Sequence, residues 1–301
     1  MARRDRPSGR GSRGGFGGGL RAAAAVAGLS ALSGGCHLLV GFDELPESGA
    51  EPLPLLGACT TAEPSGLPEP EIRLGLTFVQ NSGPPASREL EVKACALDPP
   101  RARLSCATPL TPPVNPDESG RVELLIGPSP DREGPYFSYV RAEKAGLYFP
   151  TSILTWPAIR RSAELPPLIA ISELLVQAVT ELTMLDRVTD IDNRGHLIVV
   201  VTDCSGAPTP NVEVLVDERA RDETTVTFAR GSDTLPDFKR WVTDDDGIVV
   251  YLGLPASQEI FELPLQLRDA ASGRDVLPEP ITVPVRRSEV TMVLVAPWLA
   301  L

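Results

Sequence analysis

The sequence predicts an all-β protein: two tandem antiparallel β-sandwiches joined by a short amphipathic helix, behind a signal and tether region. Three observations carry this. The 301 residues include 31 prolines and 26 glycines but only 5 % aromatics, a balance that suits many short strands and turns. Apolar residues alternate at period two in several short runs, as in Leu90, Val92 and Ala94 against Glu91 and Lys93. Four segments recur in the same order, each displaced by about 125 residues.

The recurrence defines the two copies, 71–171 and 196–299. TFVQNSGPP at 77–85 matches VTDCSGAP at 201–208, and LEV at 90–92 matches VEV at 212–214. NPDESGRVELLIG at 115–127 matches VTDDDGIVVYLG at 242–253, and the segments 152–171 and 280–297 share a proline and an Arg-Arg-Ser triplet. In each copy an opening strand (EIRLGLTFV or HLIVVVTD) meets a Ser-Gly-Pro-type turn, then an alternating strand. An acidic turn ending in Gly120 or Gly247 follows, and a further strand leaves it with Val122, Leu124 and Ile126 on one side. About seven short strands in about 100 residues match an antiparallel sandwich. Between the copies, 172–195 hold a linker. Ser172 is a candidate N-cap, and Leu174, Leu175, Ala178, Leu182 and Leu185 form one helical stripe over 172–188, expected to pack on a sandwich.

The front end has a different grammar. Residues 1–21 are rich in arginine and glycine, 22–32 are the apolar AAAAVAGLSAL, and Ser33-Gly34-Gly35 lead into Cys36. A basic region, a short apolar core and small residues before a cut describe an export signal over 1–35, and its core is far shorter than the ~20 residues of a membrane span. Residues 36–70 are rich in proline and acid, without periodicity, and read as a tether.

Charge narrows the partners. The formal net charge is −12, and beyond residue 35 it becomes −17, with 22 basic and 39 acidic residues. Such a surface repels a phosphate backbone, so no nucleic-acid partner is expected. Of the five cysteines, the four after Cys36 (Cys59, Cys95, Cys106 and Cys204) make an even set with three possible connectivities. Cys95 and Cys106 flank an Asp98-Pro99-Pro100 turn signal and are the first expected pair, across a hairpin; Cys59 with Cys204 follows by default.

Signals for catalysis are weak. The only histidines are His37 and His196, the latter expected at a solvated strand edge, and no G-x-S-x-G, H-E-x-x-H, P-loop or C-x-x-C motif occurs. No catalytic residue, cofactor or metal is expected. Asp190, Asp192 and Gly195 hint at a calcium loop, but Arg194 and Val201 stand where it needs oxygen ligands. Asp244-Asp245-Asp246-Gly247 is more simply a β-turn. Trp156 reads as core, while Trp241, in a strand before the acidic turn, is the candidate ligand contact for a sugar ring.

Two resemblances add to this. Cys36 after small residues resembles the lipobox of bacterial lipoproteins, although Ser33 holds the place where that pattern prefers leucine. The resemblance implies a lipid on Cys36 and, with His37 rather than aspartate next, an outer-membrane address. The run from Gly206 to Val214, Thr243 to Gly247 and Leu254-Pro255 resembles the carboxypeptidase regulatory-like domain, a transthyretin-type sandwich of the immunoglobulin-like group. The first copy departs from it at Pro116 and Gly127-Pro128. GCHLLVGFDEL at 35–45 and Arg194-Gly195-His196 make the chain similar to predicted lipoproteins of myxobacteria. These resemblances imply a non-catalytic, structural or adhesive role at the cell envelope, with a membrane partner through the lipid and an envelope protein or glycan as a further partner. The alternatives are a carbohydrate- or peptide-binding accessory module for an enzyme on another chain, and a hydrolase built on paired carboxylates.

Overall fold

The computed structural model describes residues 69–80, 88–96, 109–127, 138–159, 161–172, 193–216, 225–229, 241–255, 260–277 and 279–300, with the single positions 59, 104 and 106. Residues 1–35, expected to be an export signal, Cys36 and nearly all of the expected tether lie outside these residues, as does 173–192, where the linker helix is expected. Described residues from the first half form strands β1 (Ile72–Gln80), β2 (Glu91–Ala96), β3 (Arg121–Ile126), β4 (Ser138–Lys144), β5 (Tyr148–Trp156), β6 (Ala163–Glu164) and β7 (Leu168–Ala170). Those of the second form β8 (Arg194–Val201), β9 (Val212–Val216), β10 (Val226–Ala229), β11 (Ile248–Pro255), β12 (Ile260–Asp269), β13 (Ile281–Arg286) and β14 (Val290–Val295), closed by a 3-10 turn at Pro297–Ala300. Among the described residues the protein is all-β.

Three sheets result. A seven-stranded sheet has the order β10-β11-β8-β14-β5-β4-β2. In a four-stranded sheet β1 pairs antiparallel with β3 on one edge, and parallel with β6 and then β7 on the other. A three-stranded antiparallel sheet has the order β13-β12-β9. The two halves repeat one pairing scheme: β3-β1-β7 corresponds to β11-β8-β14, and β5-β4-β2 to β13-β12-β9.

What sequence alone does not predict is the join. β14 runs parallel to both its neighbours, with Val290–Val295 opposite His196–Val201 on one side and Thr151–Trp156 on the other. The sheet shared by both halves is therefore mixed rather than purely antiparallel. It is also buried on two faces. On β8, Ile198 and Val200 enter a core with Leu74, Phe78, Leu124 and Met292. The alternate residues Leu197, Val199 and Val201 enter a second core with Val214, Leu265, Val283 and Val295. A strand covered on both faces favours apolar residues on both, which is why β8 after His196, β11 and, but for Thr291, β14 are near-continuous apolar runs. β3, covered on one face, keeps strict alternation, with Val122, Leu124 and Ile126 inward. Each fully buried aliphatic side chain contributes about 1.5–3 kcal/mol, so the doubly covered strands carry the densest share of stabilisation.

The acidic turn before β11 is fixed by backbone geometry. Gly247 has φ +71°, donates to the Asp244 carbonyl at 2.8 Å and accepts from Val201 N–H at 2.8 Å. A Cβ there would lie 2.3 Å from the Val201 carbonyl oxygen and 2.9 Å from the Thr209 nitrogen, both backbone atoms with no room to yield. Gly146, in the β4–β5 turn, has φ +77° but open space around it. Gly146→Ala is expected to cost about 1 kcal/mol from its left-handed backbone alone. Gly247→Ala adds a backbone clash, and is expected to cost about 3 kcal/mol or more in urea unfolding. Equal midpoints for the two variants would contradict this packing.

Candidate functional site

The chemistry-bearing side chains gather where the halves meet. On β4, Val140 and Ala142 turn into the first core, so period two sends Arg141 to the opposite face. That face would meet water in a lone sandwich. Here Arg141 is only 8 % exposed, and Glu289, in the turn leading into β14, only 7 %. The Arg141 Nη1 and Nη2 atoms each donate to the Glu289 carboxylate at 2.9 Å, a bidentate pair. Arg141 Nε donates to Glu143 at 2.8 Å, and Lys93 closes on Glu143 at 2.9 Å. Arg286 of β13 reaches Glu289 at 3.3 Å. The Leu104 carbonyl accepts from both Arg141 and Arg286 at 3.2 Å, one guanidinium from each half. Burial alone would lower the Arg141 pKa, but hydrogen bonds and charge from Glu289 and Glu143 outweigh it and hold it above the ordinary value. Burial pushes the neighbouring Tyr139 phenol up, although its oxygen accepts from Cys106 N–H at 2.6 Å.

Leu104 is held in the loop closed by the Cys95–Cys106 disulfide (Cα–Cα 5.1 Å). Cys95 lies on β2, while Cys106 lies outside any strand with φ +47°. Among the described residues, the chain returning past β2 is joined to it by the isolated bridges Cys95 to Pro109 and Val92 to Val114. Cys59 is bonded to Cys204 (Cα–Cα 6.0 Å), in the turn after β8. In the chain-entropy description the 145-residue span of this second link is worth about 5 kcal/mol, against about 3 for the 11-residue span of the first.

His196 differs from its expected solvated edge: it is fully buried, because β14 covers its strand and Phe149 of β5 meets its ring. It offers no imidazole to a substrate. The acidic turns spend their carboxylates internally. Asp117 Oδ1 accepts from Ser119 N–H, Ser119 Oγ and Arg121 N–H, at 2.6–2.9 Å, and these bonds lower its pKa, the Ser119 hydroxyl first. Asp203 Oδ1 accepts likewise from Ser205 and Ala207, and Asp244 Oδ1 from Asp246 and Ile248 N–H. The Asp190–Asp192 loop lies outside the described residues. Trp241 and Trp156 are half-buried and packed against the second core.

Sequence reasoning missed the ionic joint. Its signal was present: an arginine inside the strand SYVRAEK, and the triplet Arg286-Arg287-Ser288 followed by Glu289. Nothing local says that these two segments meet.

No family model matches the chain, and no curated protein matches it. Among solved structures it is similar to one titled "Structure of the Streptococcal ancillary pilin", at 10 % identity and a TM-score of 0.22, covering 75 % of this chain and 62 % of that one. The chain thus spans less than two thirds of that pilin's length.

Breaking the joint from one side strands a buried charge. Glu289→Ala is expected to cost about 3–5 kcal/mol in urea unfolding. The double variant Arg141→Met/Glu289→Leu, which removes both charges, is expected to cost about 1 kcal/mol or less, since Arg286 at the rim keeps access to water. Additive losses in the double variant would show the pair is not coupled.

Proposed function

We propose that this chain is a non-catalytic lipoprotein of the bacterial cell envelope, exported and held at the outer membrane through a lipid on Cys36. In this reading its two halves are tandem immunoglobulin-like, transthyretin-type domains of the carboxypeptidase regulatory-like kind, with a structural or binding role. The observation that carries it is the cysteine pairing. Two disulfides account for four of the five cysteines, and the fifth is Cys36, directly after the small-residue run. Disulfides persist in oxidising compartments, which favours an exported chain. A thiolate is also the nucleophile that a thioether-linked lipid requires.

The repeated strand order supports duplication of one domain type. The packing of Trp241 against the core favours a structural role over a sugar-stacking platform. The link from Cys59 to Cys204 bounds the tether. The segment from Cys36 to Cys59 spans at most about 80 Å when fully extended.

Metabolic labelling with a palmitate analogue tests the anchor. The wild-type chain is expected to take the label and sediment with membranes, and Cys36→Ala to lose both properties while keeping its two disulfides. Undiminished labelling of Cys36→Ala would refute the anchor and the localisation that depends on it.

A further inference from the structure

His196 occupies the seam between the halves in surroundings that suit only a neutral ring. It faces Val290 of β14, and its backbone N–H donates to the Glu289 carbonyl at 3.1 Å. Phe149 of β5, from the other half, meets the imidazole edge to face, with centroids 5.9 Å apart. Nδ1 accepts from Gly253 N–H at 3.2 Å, which places the ring proton on Nε2. Nε2 finds no hydrogen-bond partner among the described residues. Gly253 lies where the β11–β8 register breaks between Tyr251 and Leu254, and its carbonyl accepts from Arg194 Nη1 at 2.6 Å and Thr225 Oγ1 at 3.3 Å. The imidazole thus holds the bulge of β11 on one side and abuts the first half on the other.

The charged groups around it would oppose a second positive charge or are already committed. Arg194, on the same strand, is a cation. Glu289, at the head of β14, gives its carboxylate to Arg141 and Arg286. β5 presents Phe149, and β11 presents a glycine N–H. Protonation would therefore place an uncompensated charge in an apolar site. It would also convert Nδ1 from acceptor to donor, head to head with the Gly253 N–H.

We propose that His196 is an acid-released pin: neutral, it locks the β11 bulge against β5 and β14, and protonated, it leaves its site and lets the seam between β5, β14 and β8 open. Burial, reinforced by the charge of Arg194, holds its pKa down at about 4, against 6.5 for a free imidazole. The sign follows. Above pH 6.5 the ring is neutral whether the seam is open or closed. Between 6.5 and 4 the open form binds the proton first, so closure weakens as pH falls, and below 4 the loss levels off. The ceiling is about 300-fold in the closing equilibrium, with about 80-fold reached at pH 4.5.

Hydrogen exchange on the full chain tests this, comparing wild type with His196→Gln, whose side-chain carbonyl can accept from Gly253 but does not titrate. Corrected for intrinsic rates, protection of β5, β8 and β14 amides in the wild type is expected to fall by about 80-fold from pH 7 to pH 4.5. In His196→Gln it is expected to stay within a few-fold. An equal fall in both proteins overturns the proposal, and so does a fall spread evenly over β12 and β13, which would report global unfolding. Should His196→Gln fail to fold at pH 7, the decision passes to NMR titration of a His37→Asn chain, which keeps a single histidine. An imidazole midpoint near 4 upholds the pin, and one near 6.5 rejects it.

Discussion

Six residues of β14 pair in parallel with six of β5, and this contact determines what kind of molecule the two halves make. Without it, β14 would be the outer strand of its layer, with VTMVLV, nearly all apolar, along an open edge. An unprotected edge of that composition is a template for pairing with other chains. With it, β14 becomes internal to a seven-stranded sheet and is buried at every position. The same contact lays one half of the chain over the outer face of β4, and so turns a surface arginine into a buried one.

The ionic joint follows from that covering. Arg141 and Glu289 must be taken out of water when β14 docks, and desolvating two charges costs several kcal/mol before their attraction is counted. The bidentate geometry and the Leu104 carbonyl recover that cost only in one register of β5 against β14. The pair is thus better understood as a lock on register than as a net source of stability. β14 is nearly uniform in apolar residues, so along it a one-residue shift exchanges one apolar side chain for another. A charged pair at the end of the seam removes that freedom. The Cys95–Cys106 link contributes by holding Leu104 in place between the two guanidiniums.

The legible and illegible parts of the sequence divide along the same line. Strands covered on one face declare themselves: Val122, Leu124 and Ile126 alternate with Arg121, Glu123 and Leu125, and the structure buries the first set and exposes the second. The turn at Asp117 to Gly120 and its counterpart at Asp244 to Gly247 are equally plain, since aspartate followed three residues later by glycine has a local mechanism. The shared sheet is not legible. The run IVVV in β8 is compatible with a strand in one sandwich or a strand between two, because apolar residues are acceptable at a half-buried position and required at a buried one. His196 differs from its expected solvated edge for this reason, and the burial of Arg141 is illegible for the same one. Each looks outward from its own half, and each is buried by residues about 50 to 150 positions away. Nothing in the sequence near either residue encodes the cover.

The covalent topology adds a last consequence to the proposed anchoring. A load carried from the N-terminal segment enters at Cys59, where two routes diverge: the chain through residues 60–203, and the disulfide to Cys204. The disulfide is the short route. A pull between the tether and the second half therefore passes across it and leaves every strand from β1 to β8 outside the covalent path. β5 lies in the bypassed segment and β14 beyond Cys204, so the β5–β14 contact joins the bypassed part of the chain to the part that carries the load. A load on the second half therefore reaches β5 only through the non-covalent seam with β14, the same contact that protonation of His196, at the opposite end of β8, is proposed to weaken.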